Sequence, residues 1–400
     1  MKTLKAISLI IIILFSCIAV SPVSGKKIKS LDVKTWYVDY DGGADFTSIQ
    51  DAIDNASDGD TVFVYNGTYN EALVIKKSIV LSGENNKDTI IDGYGNNKVI
   101  KVISENVKIE GFCIKNGSKG IFADDTNFTI IVDNRILNND YGITLGENSH
   151  GHEDNIFNAE ISNNKIYDNQ NGIHLVGVYN TKVTNNDIYD NDDDGYGIFL
   201  SRGSENIINE NYLKNTGGCA SFGSFCEITY NNIFNGSISI LGDDNIISHN
   251  KIDNGDIGFS GAHRNEVSYN KIIGHGLTFF DSSKNNIVEY NQIEGGNSFW
   301  GIYLDGGCKN TFNNNDLLSM KFMYVHDWGS DSTWYHNYWG RPRLFPKQTI
   351  LISNLMTAYF YIYLLLTEPL SLIGKERPRL MLNFDIHPAK TPNCNFEGDI

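Results

Sequence analysis

The chain has 400 residues, 41% hydrophobic and 20% charged, enough apolar material for a large core and far from the composition of a disordered segment. Lys and Arg number 32 against 48 Asp and Glu, a net charge of −16 with no basic block. That balance excludes a nucleic-acid partner, because phosphate contacts need a Lys/Arg surface.

At the N-terminus, Lys2 and Lys5 precede an uncharged apolar run over residues 6–20, and Val23-Ser24-Gly25 offers a processing site. Residues 1–25 therefore read as a secretory signal peptide, the run being shorter than the ~20 residues a spanning helix needs. The expected address is secreted, extracellular or cell surface. Residues 33–100 read as an N-terminal cap and the first coils of a solenoid. Residues 45–53 predict a short amphipathic helix, with Thr47 and Gln50 as a capping box and Ile49, Ala52 and Ile53 on its apolar face. Laid over the first coil, such a helix covers an otherwise open sheet end. Strands are predicted over 61–65, 78–81 and 89–91.

From 101 to 340 one phrase, Asn-x-(Ile/Leu), keeps returning. It begins at Asn134, Asn164, Asn186, Asn211, Asn231, Asn250, Asn270, Asn291 and Asn315, and closes with an aromatic at Asn337. Successive copies lie 19 to 30 residues apart, the length of one β-solenoid coil. A second phrase, Gly-Ile-x-Leu, falls between them at Gly142, Gly172, Gly197 and Gly301. Its apolar residues alternate with exposed ones, as in half-buried strands, and no helix of ten residues intervenes to make βαβ units. Coils this short cannot bury a face alone, so they stack about 4.8 Å apart. The 49 Asn then have a role: at a sharp corner Asn tolerates a left-handed backbone, and its amide bonds the equivalent Asn one coil away, forming a ladder. The fold class is all-β, a right-handed parallel β-helix of about a dozen coils of ~22 residues.

The segment Asp39-Tyr40-Asp41-Gly42-Gly43-Ala44-Asp45-Phe46-Thr47-Ser48-Ile49-Gln50-Asp51-Ala52-Ile53, followed by Gly67-Thr68-Tyr69-Asn70-Glu71, resembles the start of pectin-lyase-like β-helix proteins, pectinesterases included. The Asn repeats resemble the NosD-like, carbohydrate-binding-and-sugar-hydrolase group of secreted β-helices. The resemblance runs from about residue 35 to 340 and implies the fold; such folds host many functions. The short motifs that hold a catalytic Gln and two Asp in pectinesterases have no counterparts here. Asn337-Tyr338-Trp339 is similar to the ending of NosD-like helices. Arg341-Pro342-Arg343-Leu344-Phe345-Pro346-Lys347 replaces the acidic part that follows, so the resemblance implies no copper role.

Candidate chemistry comes from columns along the stack. Asp281, Asp305 and Asp327 fall near the ends of three successive strands. Carboxylates on neighbouring coils stand about 5–10 Å apart, a separation usable for glycosidic acid–base chemistry, or they form a solvated acidic face. Tyr303, a sugar-binding candidate, and His174 take the exposed place of the same strand type. Tyr230, His249, Tyr269 and Tyr290 immediately precede ladder Asn residues, so four rings stack on consecutive coils. Facing solvent they make a sugar-binding strip; facing inward they are coil-to-coil packing. Asp190, Asp192, Asp193 and Asp194 form either a Ca²⁺ loop or a polar turn without EF-hand spacing, and His150 and His152 with Glu153 and Asp154 are a weaker metal pair. No metal or other cofactor is assigned. Cys219 and Cys226 could pair across a Gly/Ser-rich turn. Asn-x-Ser/Thr triplets stand at Asn55, Asn66, Asn116, Asn127 and Asn235.

Residues 341–400 form either a C-terminal cap or a membrane-anchoring tail, the uncharged stretch 348–367 being the part that would associate with a membrane. The expected function is a non-catalytic rod that contacts a polysaccharide or surface glycoprotein. The alternatives are a polysaccharide-cleaving hydrolase or lyase using the three Asp residues, and a structural surface-layer component.

Overall fold

The computed structural model describes residues 33–147, 155–192, 195–295, 300–305, 309–318, 323–327 and 331–338. The signal-peptide segment 1–25, the tail 341–400, the His150–His152 loop with Glu153 and Asp154, and Asp193 and Asp194 lie outside the described residues.

The chain winds as an all-β right-handed parallel solenoid of about 12 turns, with one short helix at its start. Each coil carries three strands rather than the two visible as phrases. In one coil they are Glu227–Thr229, Asn232–Phe234 and Ser237–Ile240, here called the first, second and third faces. Each strand pairs in parallel register with its counterpart one coil on, Ile228 with Ile247, Ile233 with Ile252 and Ile238 with Ile257. The first face is a sheet of 14 strands, and the other two merge into one of 23 because Lys251–Ser260 and Lys271–Phe280 run through both. One inward residue per strand on the first two faces, and two on most third-face strands (Ile173 and Leu175, Ile238 and Ile240), build the core; on the second face Ile136, Ile166, Ile188, Leu213, Ile233, Ile252, Ile272, Ile293 and Leu317 are all completely buried.

The helix spans Ile49–Asn55 and buries Ile49, Ala52 and Ile53. Its cap is Ser48, one residue beyond the expected Thr47: the Ser48 hydroxyl accepts from Asp51 N. Glu71, just after the strand Gly67–Tyr69, takes the first N–H groups. Its carboxylate accepts from Ile49 N at 2.8 Å and Gln50 N at 2.9 Å. At the other end Lys77 Nζ donates to the carbonyls of Ile53, Asp54 and Ala56. The Gln50 carboxamide pairs with both the N–H and the C=O of Val74, blunting that strand's exposed edge much as another strand would.

The ladder at the first–second corner is bonded from Asn134 to Asn337. In each rung the backbone N–H and Nδ2 of one Asn donate to Oδ1 of the next, at 3.0 and 3.1 Å for Asn134 to Asn164 and 2.9 and 3.0 Å for Asn315 to Asn337. The left-handed backbone, however, is not at these Asn residues. It is at the residue before each, including Tyr230, His249, Tyr269 and Tyr290, with φ of 53–59°. The reason is geometric. The Asn must turn inward, so that Nδ2 reaches the carbonyl two residues back (Asn231 to Thr229, 3.0 Å), and the preceding residue makes the bend. Two further interior ladders hold the other corners, Asn139–Asn169–Asn191 and Asn245–Asn265–Asn286–Asn310.

The Gly of Gly-Ile-x-Leu is also explained by stacking: a Cβ on Gly142 or Gly172 would lie 2.7 and 2.4 Å from the carbonyl oxygen of the next coil's Gly.

Cys219 and Cys226 are both free, buried thiols, correcting the pairing that their spacing allowed. Cys219 takes an inward strand position level with Ile198 and Ile238. Cys226 stands in the third–first corner ladder, where its N–H donates to Asn245 Oδ1 and its Sγ is turned to Asn206 and the Ser224 carbonyl. Burial pushes the Cys219 thiol up to about 12. Both thiols are expected to resist a thiol reagent in the folded protein and to react fully in guanidinium. Protection of these two that survived unfolding and vanished only with reductant would contradict this assignment.

Among the described residues no helix is long and apolar enough to cross a membrane.

Candidate functional site

The outward side of the third face changes in bulk from coil to coil. Its outward column, one residue per coil, reads Lys101, Phe122, Thr144, His174, Phe199, Ala220, Ser239, Gly258, Thr278 and Tyr303 in strict register. Small residues on four successive coils lie between large ones, and that alone makes a depression. A trough of about 370 Å³ results, floored by Ala220, Ser239, Gly258 and Thr278 and walled by Tyr196, Phe222 and Phe280. The three wall rings are 40–44% exposed. Asp256 and Ser260 add polar groups, Asp256 Oδ2 accepting from Thr278 Oγ1 at 3.3 Å.

The wall rings are held by neighbours. Phe199 touches His174, Tyr196 and Phe222 with centroids 5.0, 4.9 and 5.6 Å away, and Phe280 meets Tyr303 at 5.5 Å. Burial, with the Lys119 ammonium nearby, holds His174 below its ordinary value, so it is a neutral ring at neutral pH. Lys119 is committed to Glu147 at 2.6 Å, which keeps that carboxyl low. Burial and the neighbouring Asp305 raise the Tyr303 phenol.

The three Asp candidates do not share a column. Leu304 is level with Phe279 and Asp327 is level with Leu304, so Asp327, Asp305 and Asp281 step diagonally by one residue per coil. Asp281 and Asp305 are exposed at strand ends beside Phe280, and Asp281 accepts a hydrogen bond from the Ser260 hydroxyl.

Tyr230, His249, Tyr269 and Tyr290 stand at the opposite first–second corner. Tyr230 is 50% and Tyr269 43% exposed, so the column does not pack inward. Yet the rings lie on one another, centroids 4.6, 5.1 and 5.2 Å apart and planes within 20°. The faces between successive rings are used up by each other, which leaves little flat ring surface along the column for the face of a sugar. Tyr269→Ala is therefore expected to cost about 1 kcal/mol of stability, read by guanidinium unfolding, and to leave ligand binding unchanged.

The trough was not singled out from sequence. The signal for it lies in the x of Gly-Ile-x-Leu and its degenerate copies: Thr144, His174, Phe199 and Tyr303 where the phrase is intact, then the run Ala220, Ser239, Gly258 and Thr278 where it is not.

Comparison with known proteins finds similar chains for parts of this one. A profile described as "Periplasmic copper-binding protein (NosD)" matches residues 53–240, and one described as "Right handed beta helix region" matches 221–338. A "Cell surface glycoprotein" of Methanothermus fervidus is 30% identical over 304 residues, 64% of this chain and 51% of that protein. The chain thus spans about half the length of this curated relative. Among solved structures, the mannuronan C-5 epimerase AlgE6 A-module of Azotobacter vinelandii superposes with a TM-score of 0.53 at 16% identity, covering 74% of this chain and 95% of the module. The Agl-KA catalytic domain does so with 0.54 at 17%, covering 71% and 64%. These two likenesses show the fold. The copper of the profile's description finds no matching donor set: among the described residues no three His, Cys, Asp or Glu side chains converge, and the thiols of Cys113, Cys219 and Cys226 are buried and shifted away from the thiolate.

Proposed function

We propose that this chain, a NosD-like right-handed β-helix protein, works outside the cell as a surface rod that holds an extended glycan in the third-face trough without cleaving it. The observation that carries the reading is the trough itself. Partly exposed aromatic rings in the lining, a floor of small residues and a few hydroxyl and carboxylate groups suit a pyranose chain, whose faces are apolar and whose rim is polar. The likeness to a surface glycoprotein supports the address. A column along the solenoid axis repeats about every 4.8 Å, so the trough suits a linear polymer laid across several coils.

The test is a panel of neutral and acidic polysaccharides, with and without Ca²⁺, scored for retention of the full chain and, by mass spectrometry, for released oligosaccharides. Retention without release is expected. Asp281 and Asp305, exposed beside Phe280, favour one second reading, a hydrolase or lyase. Release abolished by Asp305→Asn would establish it and overturn the first.

A further inference from the structure

Five Asn-x-Ser/Thr triplets occur in the sequence, and the fold treats them unequally. Attachment of a glycan needs an accessible Asn Nδ2 and an accessible hydroxyl two residues on.

Three triplets are engaged. The hydroxyl partner of Asn127 is Thr129, which is fully buried and bonded to Thr126, while Asn127 itself donates to Glu105 and accepts from Phe157 N. Asn116 is half-buried, its Nδ2 donating to the Asp92 carboxylate at 2.9 Å. Asn235 is a rung of an outer ladder, donating to Asn215 and accepting from Asn254, and its partner hydroxyl, Ser237, accepts from Asp256 N. A fourth, Asn55, is exposed with Ser57, but its Nδ2 closes the helix on the Asp51 carbonyl at 2.8 Å.

Asn66 differs from all four. Its Oδ1 accepts from Asn85 Nδ2 at 2.6 Å and Thr89 Oγ1 at 3.1 Å, which fixes the carboxamide by its oxygen and leaves Nδ2 as the unbonded end of an exposed side chain. Thr68 is exposed on Gly67–Tyr69, a strand at the start of the stack that pairs on one side only, with Thr89–Asp92.

We propose that Asn66 is an N-glycosylation site of the folded protein, taking its sugar from a lipid-pyrophosphate-linked oligosaccharide. Nδ2 forms a bond to the anomeric carbon, the bond from that carbon to the pyrophosphate oxygen breaks, and the lipid pyrophosphate leaves with the electron pair. One Nδ2 proton is released, and Oδ1 keeps both its hydrogen bonds. The added chain would stand about six coils, roughly 30 Å, from the trough and leave it open.

The test uses the full chain made without glycosylation machinery, a purified oligosaccharyltransferase chosen because it modifies all five triplets as free peptides, and a lipid-linked donor. Peptide mapping of the folded protein is expected to find Asn66 occupied at least tenfold more than any other triplet, with occupancy lost in both Asn66→Gln and Thr68→Ala. Equal occupancy at any of the other four, or an unmodified Asn66 in the folded chain, would overturn the assignment. Neither result bears on glycan holding by the trough.

Discussion

Asn231→Ala is expected to destabilise the protein by about 3–5 kcal/mol, one of the two largest effects the structure foresees. In the native state Asn231 Nδ2 donates to the Ile208 carbonyl at 2.9 Å, the Thr229 carbonyl at 3.0 Å and Asn250 Oδ1 at 3.0 Å. Its Oδ1 accepts from both the backbone N–H and Nδ2 of Asn211, each at 3.0 Å. All of these groups are shut away from water, since Asn211, Asn231 and Asn250 are at most 1% exposed. Alanine leaves the Asn211 N–H without its acceptor and the Ile208 carbonyl without this donor, and each stranded group costs about 1–3 kcal/mol. Asn232→Ala, one residue on and exposed, is the matched control and should stay within about 0.5 kcal/mol. Guanidinium midpoints followed by circular dichroism compare the two. Equal midpoints for both variants would mean the ladder is decorative.

The second large effect concerns binding. Phe222→Ala and Phe280→Ala each remove a wall ring of the trough that is more than 40% exposed. A ring stacked on a sugar contributes about 1 kcal/mol beyond its area, so each change should weaken glycan binding roughly fivefold and the pair roughly thirtyfold. Because the rings are half in water, stability should fall by less than about 1 kcal/mol. Calorimetric titration with whichever polysaccharide the panel retains separates the two quantities. Unchanged affinity in the double variant would remove the trough from the binding surface.

The solenoid was legible because its signal is written once per coil. Asn-x-Ile at about 22-residue spacing has no other physical use, and the inward Ile follows from it. The Tyr230 column was visible too, but its exposure was not, since that depends on which residue takes the left-handed bend. The pattern Tyr-Asn is silent on this; only the need of Asn231 Nδ2 to reach Thr229 decides it. Cys219 and Cys226 show the same limit, since their separation in sequence fits a bridge, yet one replaces a strand isoleucine and the other a ladder asparagine. The trough escaped notice because it is an absence of bulk. Ala220, Ser239, Gly258 and Thr278 are individually ordinary, and only parallel register sets them side by side. The diagonal of Asp281, Asp305 and Asp327 likewise needed the register, since a slip of one residue per coil cannot be read from one chain.

Hydroxyl-radical footprinting of the full chain, with and without the retained polysaccharide, tells which face holds the glycan. Tyr196, Phe222 and Phe280 are expected to lose oxidation on binding, while Tyr230, Tyr269 and Tyr290 oxidise as before. Protection of the stacked tyrosines with the trough rings unchanged would contradict it and move the binding surface to the opposite corner.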